Sequence, residues 1–112
     1  MKKNKKTAKI NFKIDLDTNN IPEDITWEAT DSQHAKNTAK AVIISVWDGE
    51  KKTSLKIDLW TKEMMAEEMK FFIVQILDSL SETYRKAVGD DKVAMEMKQF
   101  TQRIGKMSNV LK

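Results

Sequence analysis

With 112 residues, 40% of them hydrophobic, the chain has the length of one ordinary domain with one core. The absence of cysteine excludes disulfides and thiolate metal sites. The formal charge of +3 is a property of one end: Lys2, Lys3, Lys5, Lys6 and Lys9 precede residue 10 with no acid among them, which leaves 15 basic against 17 acidic side chains, a net of −2, in the rest. Residues 1–8 therefore read as a basic flexible tail and residues 9–112 as a single α+β domain.

Residues 9–17 alternate, with Ile10, Phe12, Ile14 and Leu16 on one side and Lys9, Asn11, Lys13, Asp15 and Asp17 on the other. A period of two is that of a half-buried strand. The same alternation leaves no apolar run behind the lysines to act as a signal sequence, and no stretch nears the roughly 18 apolar residues of a spanning helix. The expectation is a cytoplasmic, unanchored protein. Thr18, Asn19 and Asn20, with Pro22, have turn chemistry. Ile25, Trp27 and Ala29 then share one side of a second strand, and Asp31–Asn37 reads as a polar loop. Residues 38–48 form a third strand. Asp48 and Gly49 mark a hairpin turn that Glu50–Lys52 can lengthen, and Leu55, Ile57 and Leu59 alternate with Lys56 and Asp58 in a fourth strand.

The period then changes. Met69, Phe72, Ile73, Ile76, Leu80, Tyr84 and Ala87 recur every three or four residues, one face of a long helix. Thr61 is its predicted N-cap and Gly89 its stop. Asp90 or Asp91 caps a second helix striped by Val93, Met97, Phe100, Ile104, Met107 and Leu111, and Gly105 is expected to weaken its last turns. Strands on short connections followed by helices predict a four-stranded antiparallel sheet with the two helices packed on one face.

Few residues suggest chemistry. His34 is the one histidine and sits in the polar loop. Asp15 and Asp17 share a strand side, but two carboxylates without further ligands make a weak cation site. Gly49, Gly89 and Gly105 are scattered and form no phosphate-cradling loop. Ser45, Ser54, Ser79, Ser81 and Ser108 have no histidine base beside them in any motif. Met64, Met65, Met69, Met95, Met97 and Met107 read as helix core. No catalytic, cofactor or metal residues are assigned, and a non-enzymatic role is expected.

The third strand is apolar on both sides: Ala39, Ala41, Ile43 and Trp47 on one, Val42, Ile44 and Val46 on the other. If helices cover one face of the sheet, the other presents an apolar patch, which usually marks an interaction site. Val42, Ile44, Val46, Trp47 and Trp60 are the expected contact residues, for self-association or a foreign protein. The lysine tail offers an alternative, binding to nucleic acid or acidic membrane.

Several segments carry a resemblance. Ser45-Val46-Trp47-Asp48, the run Ile57-Asp58-Leu59-Trp60-Thr61-Lys62, then Met64, Glu68-Met69-Lys70 and Phe72, and Ile25-Thr26-Trp27 before Ala29 and Asp31, are similar to the gliding motility protein GldC family of Bacteroidota. The resemblance covers about residue 8 to about residue 102. It implies an accessory protein of gliding motility and type IX secretion, with other motility proteins or a second copy as partner, and it carries over no catalytic or cofactor residue. The strand–helix order is also similar to that of the export chaperone SecB, which implies a two-layer fold and, as an alternative function, the holding of unfolded clients.

Overall fold

The computed structural model describes residues 6–30 and 36–112. His34 and the lysines at 2, 3 and 5 lie outside the described residues. Two compact units follow one another, one ending at Met64 and the other beginning at Met65.

Among the described residues the first unit holds five strands: β1 (Ile10–Leu16), β2 (Pro22–Ala29), β3 (Asn37–Ala39), β4 (Ala41–Asp48) and β5 (Thr53–Trp60). All pairings are antiparallel, β1-β2-β3 in one sheet and β4-β5 in another. The α+β class and the two C-terminal helices stand, but the single four-stranded sheet is corrected to sheets of three and two strands. The third strand expected over residues 38–48 is two, because the chain changes partner at Lys40. Up to Ala39 it pairs with β2; from Ala41 it pairs with β5, and the Lys40 carbonyl accepts a hydrogen bond from the Thr61 N–H at 2.8 Å. Continuing the first register would bring Val42 opposite Pro22, which has no N–H to donate.

In the three-stranded sheet, Ile10, Phe12 and Ile14 lie opposite Ala29, Trp27 and Ile25, and Ile25 in turn lies opposite Ala39. The Phe12 and Trp27 rings stack with centroids 6.4 Å apart. The β1–β2 turn is built on Asp17, whose Oδ1 accepts from the Asn19 N–H at 2.7 Å and the Ile21 N–H at 3.0 Å, while Lys62 Nζ stands 3.1 Å from Oδ2. The Ile21 amide and these other donors hold the Asp17 carboxyl below its ordinary range. At the β4–β5 turn, Asp48 Oδ1 accepts from the amides of Glu50 and Lys51. The left-handed residue there is Lys52, at φ 53°, and not Gly49.

The second unit is a hairpin of α1 (Ala66–Val88) and α2 (Asp91–Met107). Thr61 does not cap α1. The helix begins after Met65, whose N–H donates to Glu68 Oε1 at 3.4 Å, and Thr61 instead closes the β5 ladder with its hydroxyl buried and unpartnered. Gly89 ends α1 at φ 79° with its N–H on the Arg85 carbonyl, and Asp90 caps α2 by accepting from the Val93 N–H at 3.1 Å. The residues buried in the hairpin are Val74, Ser81, Ala94, Thr101 and Gly105. Gly105 is therefore a site of close approach: a Cβ added there would lie 2.6 Å from Leu111 Cδ1, and its carbonyl accepts the amides of Val110 and Leu111. Met65, Met95 and Met107 are exposed, contrary to the expectation of helix core.

One ion cluster ties the two helices. Lys98 Nζ lies 3.1 Å from Asp78 Oδ1 and 3.0 Å from Glu82 Oε2, and Arg85 donates to the other Glu82 oxygen at 2.8 Å. The Arg85 hydrogen bond first, then Lys98, brings the Glu82 carboxyl down from 4.5 to about 2. A carboxylate with a depressed folded pKa contributes its full stability above the unfolded value and loses it as pH falls toward the folded one. Helix stability, followed by ellipticity during urea unfolding, is expected to fall between pH 4.5 and about 2. Glu82→Gln should flatten that part of the profile, and because the groups are exposed, high salt should flatten it too.

Candidate interaction surface

The β4–β5 register decides which apolar side chains share a face. Val42 lies opposite Leu59, Ile44 opposite Ile57 and Val46 opposite Leu55, so six aliphatic residues make one side of the hairpin. Val42 is buried and Ile44 and Leu59 are half-buried, whereas Val46, Leu55 and Ile57 are 55%, 57% and 56% exposed. Those three side chains are neighbours at the turn-proximal end, an uncovered aliphatic surface rather than scattered residues.

The expected contact residues are thus divided. Val42, Ile44 and Val46 share this face. Trp47, opposite Ser54, and Trp60, opposite Ala41, belong to the other side with Lys56 and Asp58. Both tryptophans are exposed, and Lys56 Nζ donates to Asp58 Oδ2 at 2.7 Å between them. Leu55 and Ile57 were legible as an alternating pair, but only the register reveals that they complete the β4 face.

Of the basic tail, Lys6 and Lys9 are exposed, and the Lys9 backbone is tied to Thr30: its N–H donates to Thr30 Oγ1 at 2.7 Å and its carbonyl accepts the Thr30 N–H at 2.9 Å. On the helical hairpin, Val93, Met97, Phe100 and Leu77 line a shallow groove, with the Arg103 guanidinium 5.7 Å from the Phe100 ring centre. Among the described residues no three His, Cys, Asp or Glu side chains are grouped to hold a metal ion, and no helix is long and apolar enough to cross a membrane.

These features define a small α+β protein whose distinctive surface is an exposed aliphatic strand face. The model of the gliding motility-associated GldC-like proteins matches residues 22–110, from the head of β2 to beyond the end of α2, and the chain belongs to that family. No curated protein and no solved structure matches it.

Proposed function

We propose that the protein is a non-enzymatic accessory component of bacterial gliding motility and its type IX secretion, acting in the cytoplasm through protein–protein contact made by the β4–β5 hairpin. Membership of the GldC-like family supports the setting. The observation that carries the mode of action is the run of Val46, Leu55 and Ile57, each more than half exposed on one hairpin face. Desolvating such side chains against a partner contributes about 25 cal/mol for each Å² removed from water.

The test is Val46→Lys combined with Leu55→Glu. These residues face each other across the hairpin, so opposite charges keep the strand pairing while removing the apolar surface. The variant should fold with unchanged ellipticity and accumulate normally, yet cells carrying it in place of the wild type should lose colony spreading. Normal spreading would remove the hairpin face from the mechanism. A second reading, the holding of unfolded chains, is favoured by the exposed thioethers of Met65, Met95 and Met107 and the exposed rings of Phe71 and Phe100 on the helices, adaptable apolar groups. Suppressed aggregation of a denatured protein, undiminished by the paired substitution, would favour it.

A further inference from the structure

Among the described residues no strand covers the outer edge of β5. A two-stranded sheet with a free edge is a template for strand addition, which proteins usually block with charged side chains, lysine above all, a proline or a bulge. This edge has no proline and no bulge, and its one lysine, Lys56, is matched by Asp58. Its register with β4 runs unbroken from Ala41–Trp60 to Asp48–Thr53, and Lys56 and Asp58 form a neutral pair along it.

Backbone direction and charge together select a partner. Because the Thr61 N–H points at the Lys40 carbonyl, alternation turns the backbone groups of Leu59, Ile57 and Leu55 toward β4 and those of Trp60, Asp58, Lys56 and Ser54 outward. An antiparallel copy centred on Ile57 would set Lys56 opposite Asp58 of the second copy and Ser54 opposite its Trp60, every outward N–H and C=O finding a mate. Leu55 would meet Leu59 of the second copy, and Ile57 would meet its own counterpart at a closely spaced pair. The two neighbouring symmetric registers that use the same outward groups put Lys56 against Lys56 or Asp58 against Asp58, and like charges directly opposite are destabilising.

We infer that two copies of this chain join edge to edge through β5, in antiparallel register about Ile57, to make a continuous four-stranded sheet with one apolar face. The inference rests on the reading of the β4–β5 hairpin as the interaction surface and names the partner that its edge takes.

The test uses the full chain. By light scattering the wild type should have twice the chain mass. Lys56→Glu leaves two acids on the edge and Asp58→Lys leaves two lysines. Each variant alone should dimerise about tenfold or more weakly, roughly 1.4 kcal/mol or more, and the two mixed should recover a heterodimer. That recovery separates contact between chains from loss of the Lys56–Asp58 pair within one. Since the chain has no cysteine, Ile57→Cys should cross-link to itself under mild oxidation. Leu55→Cys should not, its counterpart lying about 13 Å away, beyond disulfide reach. A wild-type monomer without the Ile57→Cys cross-link overturns the inference, and so does a dimer indifferent to both charge variants. Neither result touches the spreading defect of the Val46→Lys, Leu55→Glu protein, which alone decides the proposed function.

Discussion

Replacing Ile25 by alanine is expected to destabilise the strand unit by about 2–5 kcal/mol, the range for truncating a large aliphatic side chain in a packed interior. Ile25 is 1% exposed, the most deeply buried large side chain in the strands. It occupies the central strand of the three-stranded sheet, between Ile14 on β1 and Ala39 on β3, and Trp27 two residues along covers the same face by stacking on Phe12. Few residues share its load: Val42, Val74 and Ala94 are the other buried apolar side chains among the described residues, and only Val42 is in the same unit. Domains are stabilised by about 0.05–0.15 kcal/mol per residue, so a loss of this size removes a large share of the total. The measurement is the urea midpoint by tryptophan fluorescence. Trp27, Trp47 and Trp60 all lie in strands, so the signal reports on that unit. Ile25→Val should lose only about 0.5–1.5 kcal/mol. An unchanged midpoint for Ile25→Ala would mean that this face is not the core.

What the sequence made legible was local. Alternation located the strands at Ile10–Leu16 and Thr53–Trp60, because a period of two is written in the residues themselves. Gly89 and Asp90 announced the helix boundary, because a left-handed stop and a carboxylate cap act within one turn of chain. Features that depend on a distant partner were hidden. The switch at Lys40 follows from Pro22 and Thr61, about twenty residues away on either side. The left-handed residue of the β4–β5 turn is Lys52, a residue type that does not mark such a conformation in advance. For the candidate surface, each strand's alternation was visible, but the union of Val46 with Leu55 and of Ile44 with Ile57 exists only in the pairing. Hydropathy also misdirected the reading of the helices. It marks large side chains such as Leu80, Phe100 and Met107, which are about half or more exposed here, whereas the buried seam holds, beside Val74, the small residues Ser81, Ala94 and Thr101, which give no periodic apolar signal.

That seam sets the second large effect. Ser81→Leu is expected to destabilise the helical hairpin by about 1–3 kcal/mol or more, the cost of forcing extra carbons into a packed site. Ser81 is 0% exposed, and its hydroxyl donates to the Asp78 carbonyl of its own helix at 2.6 Å, so it takes no space from the neighbouring helix. Lys98 of α2 reaches both Asp78, one turn before Ser81, and Glu82, the residue after it, so α2 passes close to this part of α1. A leucine at 81 has to push α2 away, stretching those ion pairs, or adopt a rotamer that α1 disfavours. Ser81→Ala keeps the volume small, gives up only a bond to its own helix and gains helix propensity, so it should fall within about 0.5 kcal/mol of the wild type. Ellipticity during urea unfolding distinguishes them: a lowered midpoint for the leucine variant beside an unmoved one for alanine means that volume, and not the hydroxyl, is what the seam requires. Equal midpoints for leucine and wild type would mean that the helices have room between them, and that a small residue at 81 does not determine their approach.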